Sequence, residues 1–287
     1  MKPVFLSRNF IGSERGYNDA DIVIFGAPFD STASFRPGAR FGPQAIRAES
    51  IGIETYSPYL DRDLAELKIH DAGDLDLPIG SSAAALEMIE AYAARVLSDG
   101  KTPVMTGGEH LVSLGAIRAA AAKYRGLNIV HFDAHADLRN DYLGEKLSHA
   151  TVIRRVSEIT GIGNIYQFGI RSGEKAEFEW AKANTRLNKF NFDGLEKAVA
   201  EIASSAAPSV YLTIDLDILD PSELPGTGTP EAGGVSFKEL LGALKILSGL
   251  NIIGCDIVEL APNLDPSGAS TALACKLTRE LLLNIKK

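Results

Sequence analysis

Two rhythms of apolar and polar positions alternate along this chain: short uninterrupted apolar runs, and longer stretches with an apolar residue every third or fourth place. The runs at 21–28, 67–75, 103–110, 129–137, 164–171, 210–217 and 251–260 predict buried strands, with a shorter one near 189–192. Residues 81–97 carry Leu86, Met88, Ile89, Ala93, Val96 and Leu97 at helical spacing and stop at Asp99-Gly100, which predicts a helix with a glycine end. The Ala-rich segment 111–124 and the segments 175–182, 195–203 and 268–286 read as further helices, and Gly42-Pro43 opens another with proline near its first turn. Strands that alternate with helices from end to end imply a three-layer α/β/α fold around a mainly parallel sheet of about eight strands. No linker-like stretch interrupts the pattern, so a single domain over 1–287 is expected.

Three of the runs end in unusual company. Ile129-Val130-His131-Phe132 passes without a break into Asp133, His135 and Asp137 at alternate positions; if the backbone stays extended there, the three side chains share one face. The run at 210–217 does the same with Asp215 and Asp217, and the run at 103–110 ends in Gly107-Gly108-Glu109-His110. A lone aspartate at a strand end is usually a loop-entry or helix-capping residue. Four carboxylates and two imidazoles at the carboxyl ends of three strands are harder to explain that way, because buried carboxylates repel one another and lose their hydration.

Cations would remove that conflict. Six oxygen and nitrogen donors exceed a closed tetrahedral zinc site, and no thiolate is among them. Carboxylates mixed with imidazoles suit two divalent ions sharing bridging carboxylates, and manganese fits that donor set best. The expected ligands are His110, Asp133, His135, Asp137, Asp215 and Asp217, holding two Mn2+ per subunit.

Gly107-Gly108-Glu109-His110, Asp133-Ala134-His135-Ala136-Asp137, Ser148-His149-Ala150-Thr151 and Asp215-Leu216-Asp217 resemble, in order and spacing, the signature segments of the ureohydrolase superfamily of arginases, agmatinases and formiminoglutamases. Residues 34–43 and Ala261-Pro262 after Glu259 extend the match toward both ends, and the likeness is nearest to the agmatinase branch. The resemblance implies an arginase-like fold and an amidinohydrolase that cleaves agmatine to putrescine and urea, with a hydroxide bridging the two ions attacking the guanidinium carbon. It implies that Glu259 binds the guanidinium, which agrees with a planar cation being best held by a bidentate carboxylate. Asp137 would relay the proton that the departing amine needs, and His149 would be the non-ligand histidine for proton transfer or substrate positioning. A trimer or hexamer is also implied. A guanidino-acid hydrolase such as a guanidinobutyrase is the nearest alternative, and a metal-stabilised family member without turnover is a second.

Several residues stay outside that set. His70 and Asp71 match no ligand position and are expected to be structural, as is Asp256. Glu109 could orient a ligand or cap a helix start. The segment Arg36-Pro37-Gly38-Ala39-Arg40 is either a solvated surface turn or, by the resemblance, part of the active-site rim or a subunit contact. Residues 138–146 form a charged loop that the resemblance makes a wall of the substrate pocket; Leu138-Arg139 does not match the arginase residues that hold an amino acid's α-groups. The Pro- and Gly-rich loop 220–234 follows the second acidic pair directly, a position more often functional than idle.

Composition limits the partners. A net charge of −8 over 287 residues argues against nucleic acid and suits a small cationic substrate. Cys255 and Cys275 lie in apolar surroundings and are expected to be reduced and buried. The start, Met1-Lys2-Pro3-Val4-Phe5-Leu6-Ser7, is too short in its apolar part for a signal peptide, and no stretch of about 20 apolar residues would span a membrane. A cytoplasmic enzyme is the expectation.

Overall fold

The computed structural model describes residues 9–285; the amino-terminal stretch read above for a signal lies outside them. Among the described residues ten strands run in chain order: β1 (Ile22–Ala27), β2 (Tyr56–Ser57), β3 (Arg62–Asp63), β4 (Ile69–Asp74), β5 (Thr102–Gly107), β6 (Asn128–Phe132), β7 (Ile165–Ile170), β8 (Arg186–Lys189), β9 (Ser209–Asp215) and β10 (Asn251–Val258). The helices are α1 (Gly42–Glu49), α2 (Ser82–Ser98), α3 (Ser113–Lys123), α4 (Val152–Thr160), α5 (Lys175–Asn184), α6 (Leu195–Ala203), α7 (Phe237–Leu247) and α8 (Ala269–Ile285). β2 and β3 pair with each other as a small antiparallel hairpin. The other eight form one sheet in the order β4-β1-β5-β10-β9-β6-β7-β8, and every pairing in it is parallel. The expected three-layer arrangement and strand number are thus present.

The period of two along each strand divides the apolar residues between two cores. Val130 and Phe132 of β6, with Val210, Leu212 and Ile214 of β9, pack under α6, α7 and α8. Ile129 and Tyr211 face the other way, among side chains of α2, α3 and α4. A parallel strand covered on both faces needs such a continuous apolar run, which is why these segments show no hydrophobic alternation. β10 keeps this division despite a register shift between Ile252 and Gly254 against β9.

Some elements differ from the sequence expectation. α4 and α7 were not marked by it, although α7 opens with a capping box between Ser236 and Glu239. β8 lies at Arg186–Lys189, earlier than the 189–192 expected, because Phe190 takes a left-handed conformation (φ 72°) and ends the pairing. Among the described residues, no helix is long and apolar enough to cross a membrane. Both cysteines are free and buried.

The order of the sheet matters most for function. β5, β10, β9 and β6 are consecutive neighbours at its centre, although β10 comes last in the chain. Their carboxyl ends therefore open into one place, beside the point where the chain crosses over from β5 to β6, and such crossover points are where open parallel sheets place ligand sites.

Candidate metal centre

The structure brings all six expected ligands together at that place. Nδ1 of His110 lies 2.9 Å from Asp133 Oδ2, 3.2 Å from Asp137 Oδ2 and 3.3 Å from Asp215 Oδ2. Nδ1 of His135 lies 2.8 Å from Asp217 Oδ2 and 3.6 Å from Asp133 Oδ1. Asp133 belongs to both sets, one oxygen to each. Two groups of donor atoms lie close enough together to hold a cation each, His110, His131, Asp133 and Asp137 in one and Asp133, His135 and Asp217 in the other, with Asp133 common to both.

The manner of convergence differs from the extended face expected for 133–137. β6 ends at Phe132, and the chain leaves the sheet there: Arg171 and Ser172 both donate their backbone N–H to the carbonyl of Ala134, and Asp217 Oδ1 accepts the N–H of Ala134. Asp137 is then turned back in a left-handed conformation, φ 53°. Glu259 at the end of β10 is also left-handed, φ 66°. Non-glycine residues are uncommon there, and such strain gathers at functional sites because the surroundings enforce it.

Cation binding is what the electrostatics of this cluster call for. Nδ1 of His110 is fully buried and has no hydrogen-bond partner, although three carboxylate oxygens stand within 3.3 Å. A nitrogen lone pair facing oxygen lone pairs is repulsive until something positive lies between them. Burial, and then the charge of Asp133, push the carboxyl of Asp137 up to about 7. Burial and the neighbouring charges of Asp217 and Asp133 hold Asp215 well above the usual range. Carboxylates that cannot all ionise side by side become compatible once divalent ions neutralise them, and the oxygen and imidazole donor set has the chemistry to do so.

A layer beneath fixes these side chains. His131, two residues before Asp133 on the same strand, places Nε2 2.8 Å from Asp133 Oδ2, while its Nδ1 meets the amide nitrogen of Gln167 at 3.1 Å. Thr213, two residues before Asp215, places its hydroxyl 3.0 Å from His110 Nε2 and donates to Asp256. Neither His131 nor Thr213 was singled out from the sequence. The signal was available: each sits one period of two below an acid and so shares its face of the sheet. Asp256 is structural as expected, accepting from Tyr211 and Thr213. His70 and Asp71 are also away from the centre; Asp71 holds Arg47 and the backbone N–H of Phe10.

Above the acids lies a cleft of about 320 Å³, with His110, His135, Asp137 and Asp215 at its floor and Arg139, Tyr142, His149, Glu174 and Glu259 among its walls. Oε1 of Glu259 accepts the backbone N–H of His110 at 2.7 Å, which fixes the carboxylate beside the acids. Burial, then the charge of Glu109, hold its carboxyl well above the usual range. His149 stands over the floor with Ser34 Oγ 3.1 Å from its Nε2, and burial lowers its imidazole to about 4, so it is neutral near pH 7.

Likenesses in sequence and in structure point one way. The Arginase family model matches residues 20–284. The chain belongs to the arginase family. The agmatinase of Bacillus subtilis (strain 168) is 50% identical over 280 residues, 97% of this chain and 96% of that protein. The guanidinobutyrase of Pseudomonas aeruginosa is 35% identical over 272 residues, 91% of this chain and 85% of that protein. Among solved structures, the agmatine ureohydrolase of Thermoplasma volcanium superposes with a TM-score of 0.89 at 33% identity, covering 98% of this chain and 95% of that one.

Within this arginase-family chain, three segments that the sequence left open acquire positions. Arg36 is no solvated turn residue: its guanidinium donates to the carbonyls of Thr227 and Gly228, so the segment 34–40 packs at the rim of the cleft. The 220–234 loop is held there and at Arg171, which donates to the carbonyls of Asp217, Ile218 and Glu231; the loop supplies Thr229 to the cleft. Arg139, on the charged loop, pairs with Glu174 at 2.9 Å across the mouth. Glu109 neither orients a ligand nor caps a helix, since both its oxygens accept from Thr32.

Proposed function

We propose that this protein hydrolyses agmatine to putrescine and urea, with two manganese ions held by His110, Asp133, His135, Asp137, Asp215 and Asp217. The observation that carries the reading is the buried, partnerless Nδ1 of His110 facing three carboxylates at the floor of a cleft, in a chain half identical to an agmatinase over nearly its whole length. The bound pair of divalent ions would supply a strong nucleophile from water at neutral pH, which an unreactive guanidinium carbon requires.

The protein's own residues do the rest. Glu259, fixed by the His110 N–H, faces the cleft and pairs with the N–H fork of the guanidinium, so the carbon is held over the acids. Asp137, at the floor of the cleft beside the other acids, would take a proton there and pass it to the leaving nitrogen, which cannot depart as an anion. His149, kept neutral near pH 7 by burial, stands at the cleft wall with Ser34 at its Nε2, where its ring positions the substrate.

Turnover of agmatine, arginine, 4-guanidinobutyrate and formiminoglutamate by manganese-loaded protein, read as product released, tests the substrate. Agmatine is expected to be cleaved fastest; faster cleavage of any of the others overturns the assignment. The proposal extends to one ureohydrolase domain over 1–287, a role in putrescine and polyamine biosynthesis, and a cytoplasmic homo-oligomer, trimeric or hexameric. Metal analysis of protein purified without added metal, and light scattering on the same sample, test the ion and the assembly.

A further inference from the structure

Glu109, one residue before the expected ligand His110, is a buried carboxylate that the mechanism does not use. It is 1% exposed and follows Gly108, whose missing side chain lets the backbone approach β1's outgoing segment: a Cβ there would stand 1.9 Å from the carbonyl oxygen of Phe29. The backbone N–H of Glu109 donates to that same carbonyl. Its carboxylate is taken up by Thr32. Oε2 accepts the backbone N–H of Thr32 at 2.9 Å, and Oε1 accepts the hydroxyl of Thr32 at 2.6 Å.

That double acceptance has a consequence for the next contact. A threonine hydroxyl has one proton, and here it is committed to Glu109, so Thr32 Oγ1 can only accept from its other neighbour. The neighbour is the backbone N–H of His149, 3.1 Å away, with the ring Nδ1 at 3.5 Å. Two residues on, Ser34 Oγ meets the far side of the same imidazole. His149 opens a short helical turn far along the chain from these residues, yet in space it is held by Thr32 and Ser34, and Glu109 fastens Thr32 to the strand end that carries His110.

We propose that Glu109 is a positioning residue for His149, acting through Thr32. A carboxylate is the group that can accept an N–H and an O–H from one residue at once. An amide in its place must present a donor to one of them, which turns the Thr32 hydroxyl and spoils its acceptance from His149. The inference rests on the part given to His149 in the proposed function.

The test uses manganese-loaded full-length protein and agmatine, with kcat, KM and bound metal measured for Glu109→Gln, Thr32→Val and Thr32→Ser, each alone and combined with His149→Ala. Glu109→Gln and Thr32→Val are expected to lower kcat/KM roughly ten- to hundred-fold with bound metal unchanged, the scale of cost that a misplaced catalytic group carries. Thr32→Ser keeps the hydroxyl and recovers most of that loss. In the His149→Ala background none of them lowers the rate further, because the residue they position is gone. A further loss in that background, or loss of metal in Glu109→Gln, overturns the inference. Should Glu109→Gln fail to fold, the two Thr32 variants decide it. A slow His149→Ala beside an unaffected Thr32→Val sinks the inference alone; an unaffected His149→Ala sinks it together with the role of His149.

Discussion

The Nε2 of His110 and the hydroxyl of Thr213 stand 3.0 Å apart, and that hydroxyl gives its only proton to Asp256 at 2.6 Å. Thr213 can therefore only accept from the ring, so Nε2 carries a proton and Nδ1, facing Asp133, Asp137 and Asp215, is the nitrogen left for a cation. Asp256 at the bottom of this chain sets the tautomer at its top.

Removing the hydroxyl without changing the shape isolates that effect. Thr213→Val is expected to fold and to weaken metal binding about ten- to hundred-fold, the usual cost of losing a partner that orients a ligand. Metal titration followed by calorimetry reads it, and an unchanged affinity would show that packing alone orients His110.

Metal removal should destabilise the protein more at high pH than at low. In the metal-free cluster, burial raises Asp137 to about 7 and Asp215 well above the carboxylate range, and the surrounding carboxylates overcome burial to raise His110. Groups whose folded pKa is raised bind more protons folded than unfolded, so stability falls as pH rises through the interval from about 4 to about 7. His131, lowered from 6.5 by burial, opposes this below about 6.5, and Asp133, lowered despite burial by the neighbouring imidazoles, opposes it below about 4. Bound cations remove the penalty. The gain in Tm on adding manganese to chelator-treated protein is expected to be larger at pH 8 than at pH 5; equal gains would mean that the acids are not the ligands.

Glu259→Gln keeps an oxygen to accept the His110 N–H but loses the charge that pairs with a guanidinium. Both ions should remain bound while kcat/KM for agmatine falls about ten- to hundred-fold, the scale of a charged hydrogen bond. Loss of metal would instead make Glu259 a support of the ligand His110.

Gly108→Ala tests the close approach between the ends of β5 and β1. The added methyl would lie 1.9 Å from Phe29 O, a backbone atom that cannot swing aside. Destabilisation of about 1–3 kcal/mol is expected for such overpacking, seen as a lower midpoint in denaturant. An unaltered midpoint would show that this junction is slack.

Much of the fold was legible in the chain. β1, β4, β7 and β10 lie within the apolar runs that predict them, β5 and β9 begin one residue before theirs, and α6 spans the residues its pattern marks. A parallel sheet buried on both faces leaves long apolar runs, and such runs are hard to mistake. β8 and the two unmarked helices were less legible: β8 is a four-residue edge strand with half-exposed side chains, and α4 and α7 follow loops whose capping signals are local and brief.

What the sequence determined by itself was the inventory: which side chains bear chemistry, that each ends an apolar run, and that four carboxylates with two imidazoles need cations beside them. Only the tertiary structure decided how they meet. The last strand inserts between β5 and β9, which carries Glu259 to His110 across 149 residues, and the turn after Phe132 folds Asp137 back where an extended strand would have carried it away. The grip of Thr32 on His149 and of Arg171 on the 217–231 carbonyls is equally a product of folding. Sequence periodicity reports which face of its own strand a residue occupies; which strands become neighbours depends on the packing of every layer at once, and no local pattern records it.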